Sequence, residues 1–201
     1  MGPECNCFQV DWKDPGFRKI LQEVVAPKHP RKLTLPPQNT INIAVHFREG
    51  GGYDTGNFRL GFLTKFPPLS FYIEGLLEII ELFQGKPLYC YLFSDALNPS
   101  QIIEQFKQSI PITTQIVFDC RAENNLHDAN VLDDFFSLFH FDVLIHPQSN
   151  FSVIPSLIHD YAVTYTPLSG HLQESAVIID KIKLEINEEL CSKTISKISG
   201  L

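Results

Sequence analysis

Long apolar runs are absent from this chain. The most extended, residues 88–93, is far too short to cross a bilayer, so no membrane span is expected. The N-terminus carries Glu4 and no apolar stretch, which argues against a secretory leader. No basic stripe interrupts a formal charge of −7, so the electrostatic pull that phosphate-backbone binders depend on is missing and nucleic acid is not an expected partner. Cysteine is scarce and odd in number, at positions 5, 7, 90, 120 and 191. That usage suits reduced thiols in a cytoplasmic protein better than a disulfide frame. Cys5 and Cys7 form a C-x-C pair, but no second ligand pair stands at a partnering distance, so no metal is expected.

What remains is an ordinary globular composition, 44% apolar and 19% charged over 201 residues, enough for one domain with a sizeable core. Residues 1–40 read as an irregular extension carrying one short helix at 17–25, followed by a proline- and lysine-rich connector. From residue 41 the pattern alternates. Apolar strands are expected at 41–47, 88–93, 116–118, 143–145 and 161–165. Helices are expected at 71–83, from Asn98 with Pro99 at the first turn, from Asp128 through a core face of Val131, Leu132, Phe135, Leu138 and Phe139, and near 153–159. The tail, 177–201, fits a strand by one spacing and a helix by another, and both stay open. Short apolar strands separated by amphipathic helices imply an α/β fold, a Rossmann-like parallel sheet with helices on both faces, over residues 41–201.

In such a sheet, ligands bind beyond the carboxyl ends of the strands, and the polar residues there are the candidates. After the first strand come His46, Arg48, Glu49, Gly50, Gly51, Gly52 and Asp54. Glycines let backbone N–H groups approach an anion, and arginine offers a two-pronged donor for phosphate oxygens. The segment is neither a P-loop nor a G-x-G-x-x-G turn. Ser94 and Asp95 follow the second strand, able to touch a base or ribose or simply to cap a turn. Asp119, Arg121, Asn124, Asn125, His127 and Asp128 follow the third. After the fourth come Ser149, Asn150 and Ser152 at a helix start, an anion site or plain caps.

Three stretches resemble a known family. They are Ile43-Ala44-Val45-His46-Phe47-Arg48, Tyr91-Leu92-Phe93-Ser94-Asp95, and the helix from Asn130 with the strand Asp142-Val143-Leu144-Ile145 and the loop Ser149-Asn150-Phe151-Ser152. Over residues 41–165 the chain is similar to the α-1,2/α-1,6-fucosyltransferase and protein O-fucosyltransferase superfamily, in the C-terminal half of its two-domain GT-B architecture. The resemblance implies a GDP-sugar donor such as GDP-fucose, used without a cofactor or metal by an inverting glycosyltransferase. It implies that Arg48 binds the diphosphate, that His46 contacts the nucleotide region, that Ser149 and Ser152 face the phosphates, and that Asp133 or Asp134 lies nearby. The sequence departs from the family pattern at Glu49, where a second arginine is usual, and at Gly50-Gly51, where Gly-Asp is usual. Candidates for the base are Asp54 and Glu49, with His46 behind them. Because barely forty residues precede the first strand, the acceptor side is expected to come from a missing domain or subunit or from a homodimer. The other reading is a non-catalytic nucleotide-sugar-binding or protein-interaction module of the same fold.

Overall fold

The structure is a computed structural model and describes residues 11–12, 14–50, 60–121 and 131–199. In chain order the elements are α1 (Pro15–Val25), β1 (Ile41–Phe47), α2 (Leu69–Leu82), β2 (Leu88–Ser94), α3 (Pro99–Ser109) and β3 (Ile116–Cys120). Then follow α4 (Val131–Ser137) with a 3-10 turn over Leu138–His140, β4 (Val143–Ile145), α5 (Asn150–Ile158), β5 (Val163–Gln173), β6 (Ala176–Ile186) and α6 (Glu188–Ser199). The sheet order is β3-β2-β1-β4-β5-β6. The first five strands are parallel, and β6 runs antiparallel against β5.

The order follows from burial. β1 is apolar on both faces, and six of its seven residues are buried, as a central parallel strand requires. On one face, Ile41, Ile43 and Val45 pack with Leu92, Ile145, Val163 and Tyr165 beneath α2, α3 and α6. On the other, Ala44, Tyr91, Phe93, Leu138, Phe141 and Leu144 form a second core under α4 and α5. The chain leaves β1 in one direction through α2 and reaches β4 on its other side through α4. The gap beyond the carboxyl ends of β1 and β4 is therefore the topological switch point.

The sheet is the Rossmann-like α/β sheet expected, with one addition: the chain turns back at Glu174 and Ser175 and adds β6 as an antiparallel edge. The tail is neither strand nor helix alone but β6 and then α6. The core face assigned to α4 is only partly buried: Leu138 is enclosed, while Val131 and Leu132, in the first turn, lie exposed. Asp128, expected as the cap of that helix, lies outside the described residues. Asn98 does stand at the N-cap of α3, but its side chain makes no capping bond. The helix of the N-terminal extension, α1, buries no residue. It is fastened to α5 by Gln22 Nε2 donating to the Ile158 carbonyl at 2.6 Å and to the following turn by an Arg18–Asp160 ion pair.

Candidate functional site

β1 delivers His46 to the rim at its last buried position, and α5 opens directly opposite. The two meet: His46 Nδ1 lies 2.7 Å from Ser152 Oγ, and the imidazole rests against Phe151 with ring centroids 4.9 Å apart. Ser152 is wholly enclosed, with the Ser149 and Pro147 carbonyls also close to its hydroxyl. Its hydroxyl therefore orients His46. Burial, then the neighbouring His146, then the Arg48 charge lower the His46 pKa to about 3, so the ring is neutral at ordinary pH. His146, at the end of β4, is likewise pushed down to about 4 by burial.

Ser149 occupies the N-cap of α5, yet its side chain makes no capping bond. The first two N–H groups of the helix, on Asn150 and Phe151, have no acceptor among the described residues, since the turn closes through Ser152 and Val153 onto the Ser149 carbonyl. The loop between β4 and α5 is pinned in place. The Gln148 N–H donates to the Thr64 carbonyl at 2.8 Å, and its side-chain amide donates to the Pro167 carbonyl at 3.0 Å. Ser149 and the Asn150 side chain thus sit on a rigid edge.

Arg48, two residues beyond His46, lays its guanidinium 5.7 Å from the centroid of Phe66. The glycine-rich loop begins in an unexpected way. Asp95, at the end of β2, accepts the N–H of Glu49 at 2.6 Å and that of Gly50 at 3.2 Å. Gly50 adopts a φ of 114°, a conformation open to glycine. The amides proposed to cradle an external anion thus hold a carboxylate of the chain itself. Ser94 closes its own turn by accepting the Ala96 N–H, and Glu49 faces solvent. Gly51 and Asp54 lie outside the described residues, as do Gly52, Asn124, Asn125, His127, Cys5 and Cys7. Of the two acids offered on α4, Asp134 makes a two-pronged ion pair with Arg121. Among the described residues, no group of histidine, cysteine and carboxylate side chains is arranged to hold a metal.

Two contributors escaped the sequence reading. Phe66 supplies the ring under Arg48, and Tyr72 supports Phe47 from beneath with ring centroids 5.0 Å apart. Tyr72 belongs to the apolar stripe of a helix, and its pKa is driven up by burial. Only the packing of α2 beneath the rim gives it this place.

No family model and no curated protein matches the chain. Solved structures do. The chain is similar to NodZ alpha-1,6-fucosyltransferase soaked with GDP-fucose, at 15% identity and a TM-score of 0.44, over 86% of this chain and 47% of that one. It is similar to the NodZ fucosyltransferase from Bradyrhizobium at 16% and 0.43, over 86% and 47%. It is also similar to POFUT1 in complex with GDP-fucose at 13% and 0.42, over 73% and 42%. The chain spans about half the length of the NodZ structures it matches.

Proposed function

We propose that the chain binds the diphosphate of a GDP-sugar, of the GDP-fucose type, at the β1/β4 switch point. The observation that carries this reading is a set of donors with no acceptor among the described residues, the Ser149 hydroxyl and the Asn150 and Phe151 N–H groups at the start of α5, the helix that meets His46 of β1 through Ser152. Helix-start amides and a guanidinium are suited to hold a diphosphate and to stabilise it as charge develops on departure. The neutral His46, oriented by Ser152 through Nδ1, keeps Nε2 for a hydrogen bond to the ligand. Transfer to an acceptor is a further step and needs a base. Glu49 and Asp54 are the candidates, and the acceptor surface would come from outside the described residues.

A second reading follows from Asp95. Its carboxylate on the Glu49 and Gly50 amides, with Glu49 beside it, places negative charge where a diphosphate would approach the glycine loop. Under that reading the fold is kept as a binding or interaction module without transfer. Calorimetric titration with GDP and with GDP-fucose separates the readings. Saturable binding weakened at least about tenfold (roughly 1.4 kcal/mol) by Arg48→Ala supports the donor site. No heat at millimolar nucleotide would sink it.

A further inference from the structure

We propose that two copies of the chain associate through β6, antiparallel about a two-fold axis, in the register that sets Leu184 against its own copy. β6 is the outer edge of the sheet and is 11 residues long. Among the described residues, the chain after Asn187 does not fold over that edge. α6 turns back beneath the sheet, with Cys191 Sγ 3.4 Å from the Ala162 carbonyl and the Thr194 hydroxyl 3.5 Å from the Asp142 carboxylate.

The direction of the backbone groups fixes which residues can pair. Tyr165 accepts from the His146 N–H, on the β4 side. Successive residues of a strand turn their N–H and C=O groups to opposite sides, so Thr164 and Thr166 turn theirs to β6. Their partners across the ladder are Glu185 and Lys183, and the Asn187 N–H on the Ala162 carbonyl continues the same alternation. Ile182, Leu184 and Ile186 therefore present their N–H and C=O groups to the open edge. The register irregularities of the hairpin fall between Pro167 and Gly170 on β5, against residues 179–182 of β6, so 183–186 form a regular, unblocked ladder.

Charge then chooses the register. With Leu184 on the axis, Ile182 faces Ile186 of the second copy, and Lys183 faces Glu185 of the second copy, each twice. Moving the axis to Lys183 would set lysine against lysine, and moving it to Ile182 would set Lys181 against Lys183. An odd offset would set outward backbone groups against inward ones and leave no ladder. In the favoured register one face of the new ladder is an unbroken apolar strip. Its members, Ile182, Leu184 and Ile186, are 37%, 40% and 44% exposed in the single chain. The other face carries two opposite-charge pairs, from residues that already pair within one chain at 2.9 Å.

Size-exclusion chromatography with light scattering across a concentration series tests this proposal. The expected mass is about twice the 22.8 kDa of the chain. Lys183→Glu and Glu185→Lys alone each set like charges across the axis and should weaken association at least about tenfold. Mixed together they restore both opposite-charge pairs and should dimerise again. Leu184→Pro removes an outward N–H that the single chain's ladder does not use, and should give a folded monomer by circular dichroism. A wild type that stays monomeric at every concentration overturns the proposal. So does a dimer that tolerates Leu184→Pro, or folded charge variants that fail to associate when mixed.

Discussion

β1 and β6 are both rich in β-branched residues, and one strand sits at the centre of the sheet while the other forms its edge. In β1 the run is continuous, both faces are covered, and its end presents His46 inside a closed hydrogen-bonded rim. In β6 charges alternate with isoleucines and leucine, and from residue 180 on every residue is exposed. The difference teaches where each kind of function can reside. A central strand positions side chains with little freedom and suits a site that needs geometry. An edge strand offers backbone groups, which suits association.

The comparison is broken most severely by acid. His46, His146 and His159 are held neutral by burial, with pKa values lowered to about 3, 4 and 4. Unfolded, each would titrate near 6.5. Their contribution to stability is thus fully present above pH 6.5 and is lost as pH falls toward the folded values. The slope approaches about 1.4 kcal/mol per pH unit for each histidine. Asp142, raised by burial, acts in the opposite sense around its own titration and offsets part of this loss. Urea unfolding at pH 7, 6, 5 and 4.5 should show a steep decline, and His46→Gln should flatten it. A flat profile would mean that the central rim is solvated.

Truncating the same residue type in the two strands sharpens the contrast. Ile43, with no exposed surface, should cost about 4 kcal/mol as Ile43→Ala. Ile182→Ala, measured under dilute, monomeric conditions, should cost no more than about 0.5 kcal/mol. Between these lies Gly75, where a β-carbon would stand 2.7 Å from the Tyr165 ring. Gly75→Ala should lose about 1–2 kcal/mol of stability by chemical denaturation, even after the gain in helix propensity. Equal losses at Ile43 and Ile182 would erase the distinction between centre and edge.

Much of the sheet was legible. The limits of β1 and β4 agree with the pattern read from residues 41–47 and 143–145, because fully buried parallel strands leave continuous apolar runs. The β5–β6 hairpin was not legible. Its turn places Glu174 and Ser175 at φ of 49° and 70°, where asparagine or glycine would have announced it. Nor does local sequence show that Gly170 lies against the Ile178 carbonyl, where a β-carbon would stand 2.6 Å away.

The candidate rim divides in the same way. That His46, Arg48, Ser149 and Ser152 stand at strand ends and a helix start could be read from spacing. That Ser152 turns inward to His46 while the Ser149 side chain makes no capping bond could not, and neither could the Asp95 carboxylate on the Glu49 and Gly50 amides.

By itself the sequence determined where the buried central strands and the helices between them lie, since periodic burial is written one residue after another, but not the β5–β6 hairpin at the sheet edge. The tertiary structure alone decided which polar groups are already partnered. Hydrogen bonds between residues tens of positions apart (46 between Glu49 and Asp95, 106 between His46 and Ser152) depend on how the sheet is assembled, and no local pattern encodes that.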